Sequence, residues 1–211
     1  MTVKYRMIIF DFDGTLAETF PFMVSVLDQL ADRHHLQRLD KSLIPTLRGY
    51  KIPKLIKMFN IPIWKLPSMA TDLQEMMHQN IDSIKLFPGM EKLIKDLHEQ
   101  QITLAIVTSN AMRNVQKVLG EEIMKCISYF ECGVPLMSKA GVLRRLLRTS
   151  SILPHEALAI GDETRDIEAA RKLGISSLAV NWGFSTQPAL EDARPDFLVS
   201  SAEQILEIAC L

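Results

Sequence analysis

Two hydrophobic regimes follow one another along this chain, and the changes between them divide it. Met7 to Phe10 is an uninterrupted apolar run with β-branched Ile8 and Ile9, the pattern of a strand buried on both faces. Beyond it the spacing turns helical as far as Ile84. Met23, Leu27, Leu30 and Ala31 share one helix face, and Pro21 suits a first helical turn. Further helical pieces over Ile52 to Phe59 and Pro67 to Ile84 are limited by Pro53, Pro62 and Pro67. From Met90 helices and strands alternate. The pattern predicts a helix carrying Met90, Leu93, Ile94 and Leu97, a strand over Ile102 to Val107, a helix over Met112 to Leu119 and a short strand near Tyr129 to Cys132. A helix over Val142 to Leu147, a strand over Ala157 to Ile160 and a helix carrying Ile167, Ala170 and Leu173, stopped by Gly174, come next. Strands at Leu178 to Val180 and Phe197 to Val199 complete the series. Alternation of this kind implies right-handed crossovers and a mostly parallel α/β sheet covered on both faces, with the helical block inserted after the first strand.

Chemistry collects where the apolar runs stop. The first ends in Asp11, Phe12, Asp13, Gly14 and Thr15, the second in Thr108, Ser109 and Asn110, and a third in Gly161, Asp162, Glu163, Thr164, Arg165 and Asp166. In a parallel sheet these C-terminal ends share one rim, where open α/β sheets bind ligands. Two acids one residue apart repel each other and lose hydration, which is tolerable mainly beside a cation or a phosphoryl group. Thr108 precedes a helix whose free N–H groups make an anion site. Asp162 beside Asp11 would form the hard oxygen cluster that Mg²⁺ prefers. Lys139, in the loop before a helix beginning near Gly141, would add a fixed positive charge. Each feature also has a plainer reading: an Asp-Gly turn, helix caps at Thr108 and Asp162, a solvated lysine.

Composition narrows the partners. With 24 basic residues against 25 acidic ones, the formal net charge of -1 leaves no electrostatic footprint for nucleic acid or an anionic membrane. A hydrophobic share of 47% suits a soluble protein with one large sheet. No apolar stretch reaches the roughly 20 residues of a membrane span. Six residues before the first strand leave no room for a signal peptide. Cys126, Cys132 and Cys210 lack metal-ligand spacing and read as reduced thiols, so a cytoplasmic location is expected.

DFDGTLAET, IVTSN, the Lys139 loop and GDETRD match in order the four motifs of the haloacid dehalogenase superfamily, and the sequence resembles its phosphoglycolate phosphatase-like subgroup most. The resemblance implies a Rossmann-like core, residues 1–16 and 85–211, and an α-helical cap, residues 17–84. It implies a Mg²⁺-dependent phosphatase for a small phosphorylated metabolite, phosphoglycolate-like or a sugar phosphate. Asp11 would be the nucleophile and Asp13 the general acid/base, with the Asp13 backbone carbonyl on the metal. Thr108 would hydrogen-bond the phosphoryl group, Ser109 and Asn110 would join it in binding substrate, Lys139 would stabilise the nucleophile and the developing charge, and Asp162 would join Asp11 on the metal. Asp166 would steady the metal's water or Lys139. Ala140 stands where many relatives have Pro, Glu18 where Asp is commoner, and Thr-Ser-Asn where phosphoglycolate phosphatases often have Thr-Asn-Lys. A phosphomutase using the same aspartyl phosphate, and a non-catalytic binding module on this fold, stay open as alternatives.

In the expected cap, Arg48 beside Gly49 is placed to reach a second anionic group of the substrate, with a solvated basic face as the alternative. RRLLR, residues 144 to 148, reads as the outer face of a sheet-covering helix. His34 and His35 have no metal-binding partners at useful spacing. Trp64 and Trp182 are expected in the core or at a pocket.

Overall fold

Among the described residues, six parallel strands form one sheet: β1 (Met7–Phe10), β2 (Thr103–Val107), β3 (Tyr129–Glu131), β4 (Ala157–Gly161), β5 (Ser176–Val180) and β6 (Phe197–Val199), arranged β3-β2-β1-β4-β5-β6. The structure is a computed structural model describing residues 4–135 and 138–210. Residues 1–3 and 211, at the ends of the expected core, and 136–137 ahead of Lys139 lie outside the described residues. The central strand is β1, with Phe10 opposite Ile106 on one side and Ile160 on the other. After β1 the chain builds outward through β2 and β3, then returns to lay β4 against the other side of β1. The crevice at such a reversal is where α/β sheets place ligands.

Four helices, α1 (Phe20–Arg33), α2 (Ile44–Leu47), α3 (Ile52–Met58) and α4 (Leu66–Gln79), lie between β1 and α5 (Met90–Glu99). The segment leaves and rejoins the sheet through paired chain, with Glu18 N–H donating to Lys85 O and Phe87 N–H to Leu16 O. The sheet is covered by α5, α6 (Met112–Cys126), α7 (Lys139–Ser150), α8 (Thr164–Arg171), α9 (Gln187–Ala193) and α10 (Ala202–Ala209). Alternate β1 residues serve opposite cores, as a pleated strand requires. Ile8 and Phe10 pack with residues of α5, α6 and α10, and Met7 and Ile9 with residues of α7 and α8. Among the described residues no helix is long and apolar enough to cross a membrane.

Several boundaries differ from those the pattern predicts. Lys139 is not in a loop but opens α7, because the helical bonding begins at Ser138, whose carbonyl receives the Gly141 and Val142 N–H groups. The apolar periodicity starts only at Val142, so a polar first turn leaves no hydrophobic trace. The helix expected to run to Ile84 stops at Gln79, where the Asn80 side chain donates back to the Met76 carbonyl, and a short 3₁₀ turn follows. Past Leu119, α6 continues to Cys126 through a bend at Gly120 (φ 72°). β5 begins at Ser176 because buried Ser177 is satisfied by Asp196, to which its N–H and hydroxyl both donate. Trp64 is neither core nor pocket wall but 77% exposed. Trp182 donates its indole N–H to Thr15 O and packs beside Phe87.

Candidate active site

The C-terminal rim of β1, β2 and β4 brings together residues up to 155 positions apart in sequence, from Asp11 to Asp166. Asp11 remains tied to the sheet, its N–H donating to Ile160 O, while its Oδ1 accepts the Phe12 N–H. The chain then turns abruptly. Phe12 O receives N–H bonds from Thr15, Leu16 and Ala17, and Gly14 adopts φ 77°, a region few other residues enter cheaply. This turn resolves the conflict between an i, i+2 spacing, which in a regular strand places both side chains on one face, and two acids with separate surroundings.

Those surroundings differ in kind. Asp11 Oδ2 lies 2.8 Å from Lys139 Nζ, and Lys139 also donates to Asp166 Oδ1 at 2.6 Å. The Arg165 guanidinium is 4.0 Å from the same Asp11 oxygen. Among the described residues no cation comes this close to Asp13; it accepts the Asn110 amide at 2.9 Å, with the Thr108 hydroxyl at 3.5 Å. Lost hydration, together with the Asp11 charge beside it, pushes the Asp13 carboxyl up to about 7, a rise that the Asn110 amide opposes. A carboxyl raised in this way is how a site acquires a proton donor near neutral pH.

Asp162 is fully buried at the end of β4, beside Asp11 as neighbouring strands dictate. The Thr15 hydroxyl donates to one of its oxygens and the Phe184 N–H to the other. Burial, then the Glu163 and Asp11 charges, raise its carboxyl well above the ordinary range. Around this point five carboxyl groups, Asp11, Asp13, Asp162, Glu163 and Asp166, meet two cations, Lys139 and Arg165. Asp11, Asp162 and Asp166 each bring one oxygen within 4.8 Å of the others. An all-oxygen donor set with a surplus of negative charge fits a hard divalent cation such as Mg²⁺.

The chain approaches this cluster too closely for any side chain at Gly183. A Cβ there would stand 2.2 Å from Asp162 Oδ2, against an immobile buried carboxylate. Gly183→Ala is therefore expected to displace Asp162 and cost about 1–3 kcal/mol. Thermal melting and calorimetric titration with Mg²⁺ would show a lower Tm and weaker metal binding. An unchanged pair of values would mean that the loop simply moves aside.

Sequence reasoning places Asp11, Asp13, Thr108, Lys139, Asp162 and Asp166 here, and the structure collects all six. Ser109 and Asn110 are also at the rim, but Asn110 is engaged by Asp13 and Asn114, and the Ser109 carbonyl accepts Gln74 of α4. Arg48 has different partners from those expected. Its guanidinium donates to Gly183 O at 2.6 Å and Phe184 O at 2.9 Å and lies over the Phe20 ring. It thus ties the helical segment to the loop whose Phe184 N–H holds Asp162. Two residues were not anticipated. Glu163 and Arg165 pair at 2.7 Å, and the buried Arg165 Nε has no acceptor. Their sequence signal was the placement of a cation inside the acidic run GDETRD.

Arg48→Ala is expected to lower kcat/KM about 10-fold through the loop that holds Asp162, since hydrogen bonds from a charged group contribute roughly 1.5–3 kcal/mol and this one is half-buried. Arg48→Lys should not restore activity, because a point charge cannot bridge two carbonyls as the planar fork does. Steady-state kinetics of both variants check this, and full activity in the lysine variant would remove the bidentate argument.

A profile of haloacid dehalogenase-like hydrolases matches residues 8–180. Over 201 residues, 95% of each chain, the sequence is 29% identical to a phosphoglycolate phosphatase of Synechococcus elongatus. It is 24% identical over 214 residues to the pyrophosphatase PpaX of Bacillus cereus, covering 98% of this chain and 97% of that one. A haloacid dehalogenase-like hydrolase structure from Streptococcus pneumoniae superposes with a TM-score of 0.78 at 25% identity, over 98% and 99% of the two chains.

Proposed function

The chain belongs to the haloacid dehalogenase-like hydrolases, and on that premise we propose that it is a Mg²⁺-dependent phosphatase acting on a small phosphorylated metabolite through an aspartyl phosphate on Asp11. One observation supports this above the others: two acids share a strand end, one against Lys139 and the other against a neutral amide with its carboxyl raised to about 7.

Asp11, Asp162 and the Asp13 backbone carbonyl would hold the metal, with Asp166 beside it. When bound, Mg²⁺ supplies charge neutralisation that lets two anions approach and stabilises the equatorial oxygens of the phosphoryl group. Asp11 attacks phosphorus and the ester P–O bond breaks, while the Asp13 proton passes to the leaving oxygen. Asp13, now a carboxylate, takes a proton from the attacking water; the Asp11–phosphorus bond breaks and phosphate departs. Lys139 holds the Asp11 carboxyl in orientation, and Asp166 keeps Lys139 in place. Thr108 and Ser109, with Lys139 and Arg165, line the small recess beside Asp11. The helical segment acts as a cap over the core residues 1–16 and 85–211. The relatives named phosphatase and pyrophosphatase align over almost the whole chain, which supports hydrolysis of phosphate bonds.

The test is phosphate release from a panel of phosphomonoesters and pyrophosphate, with Mg²⁺ or with EDTA. Metal-dependent release is the expected result. Isomerised sugar phosphate without release would instead identify a phosphomutase, and binding without turnover a non-catalytic module.

A further inference from the structure

The helices between β1 and α5 do not close on one another. They surround a chamber of about 470 Å³, continuous with the rim residues Asp13, Ser109, Asn110, Glu163 and Arg165. This lies within the roughly 300–1,000 Å³ of ordinary small-ligand pockets. Its walls are strongly segregated. The four charged lining residues, Asp13, Arg48, Glu163 and Arg165, all lie at the end next to the sheet, and Arg48 is already held by two backbone carbonyls. Most of the remaining lining is aliphatic or aromatic, Leu27, Ile44, Leu55, Phe59, Met69 and Leu73 among it, with Gln37 a polar interruption.

These side chains are not a finished core. All six are only half-buried, whereas Phe22, Leu30, Leu47 and Met77 of the same lining are buried, and α3, with Ile52, Leu55, Ile56 and Met58, contains no buried residue. The sheet side of the molecule shows what completed packing looks like here, with Ile8, Phe10, Ile94, Leu97 and Leu104 at 0% exposure. Apolar walls offer water few hydrogen bonds, so an apolar ligand entering such a chamber gains the free energy of leaving water. A molecule as small as phosphoglycolate would leave most of the chamber unfilled.

We infer that the substrate is an amphiphilic phosphate monoester, its phosphoryl group seated at Asp11 and an extended aliphatic or aromatic portion filling the chamber. This rests on the phosphatase reading above and names the substrate class for the same site. An apolar portion that the walls hold equally in ground and transition states acts on KM rather than kcat.

The experiment is a chain-length series of alkyl phosphates, from ethyl to octyl, kept below their micellar range, assayed with Mg²⁺. Each added methylene is expected to raise kcat/KM about 3- to 4-fold, the equivalent of about 0.8 kcal/mol, with kcat nearly constant. Ala31→Trp, which fills the chamber from α1 away from the catalytic residues, should abolish this dependence and leave ethyl phosphate turnover unchanged. Ala70→Phe on α4 serves if the first variant melts early. A flat series, or one that Ala31→Trp and Ala70→Phe leave intact, would overturn the inference without touching the phosphatase reading. No turnover of any ester would instead defeat that reading. Calorimetry with the matching alkyl phosphonates then decides the chamber: affinity rising with chain length, with a negative heat-capacity change, supports it, and chain-independent binding overturns it.

Discussion

Asp11→Asn is expected to lower phosphate release by about 10⁴-fold or more on every ester the native protein hydrolyses, because in the proposed mechanism it removes the attacking oxygen rather than a supporting contact. The same substitution should leave the fold intact. Lys139 keeps its partner Asp166 at 2.6 Å, and the amide retains the shape of the carboxylate. It also removes a negative charge beside Asp13 and Asp162, both of whose carboxyls Asp11 raises. Without added metal, therefore, the melting temperature should stay level or rise while activity disappears. Phosphate release and thermal melting on the same preparation check the two halves together. A variant with a tenth of native activity would show that Asp11 positions substrate and another group attacks.

Lys139→Met carries the second large effect, and here stability and activity fall together. Lys139 joins Asp11 to Asp166, and all three side chains are at most 12% exposed. Removing one member of a buried charge group leaves its partners uncompensated, at about 3–5 kcal/mol. For a protein of this length that lowers Tm by roughly 6–20 °C. Activity should fall about 10²–10³-fold, the range for loss of one preorganised donor at a reacting centre. Melting curves and kinetics below the lowered Tm measure both, and a Tm within two degrees of native would mean that the acids are protonated or otherwise neutralised.

What the sequence discloses follows from which interactions are local. The apolar run of β1 and its terminal Asp11 and Asp13 are readable because a buried parallel strand writes its length and its end in the same few residues. Thr108 and Asp162 are readable for the same reason, since every parallel strand delivers its C-terminal residues to one rim. Lys139 was readable as a charge but not as the start of α7, whose first turn is polar. α9 buries only Leu190 and so has no periodicity to detect, whereas α10 buries Ile205 between Ala202 and Ala209, alanines that weaken the signal. The partners of Arg48 are carbonyls of residues 183 and 184, far along the chain, and backbone carbonyls leave no compositional trace. The hollow between α1 and α4 is equally hidden, because helices lining a chamber and helices closing a core share one amphipathic pattern.

Borohydride reduction followed by peptide mass spectrometry looks for the proposed covalent phosphoryl group on Asp11 itself. Protein quenched during turnover of its best ester should contain homoserine at position 11, because an acyl phosphate is reduced where a carboxylate is not. The signal should vanish without substrate and in Asp11→Asn. Brisk phosphate release with an unmodified Asp11 under the same quench would contradict the account.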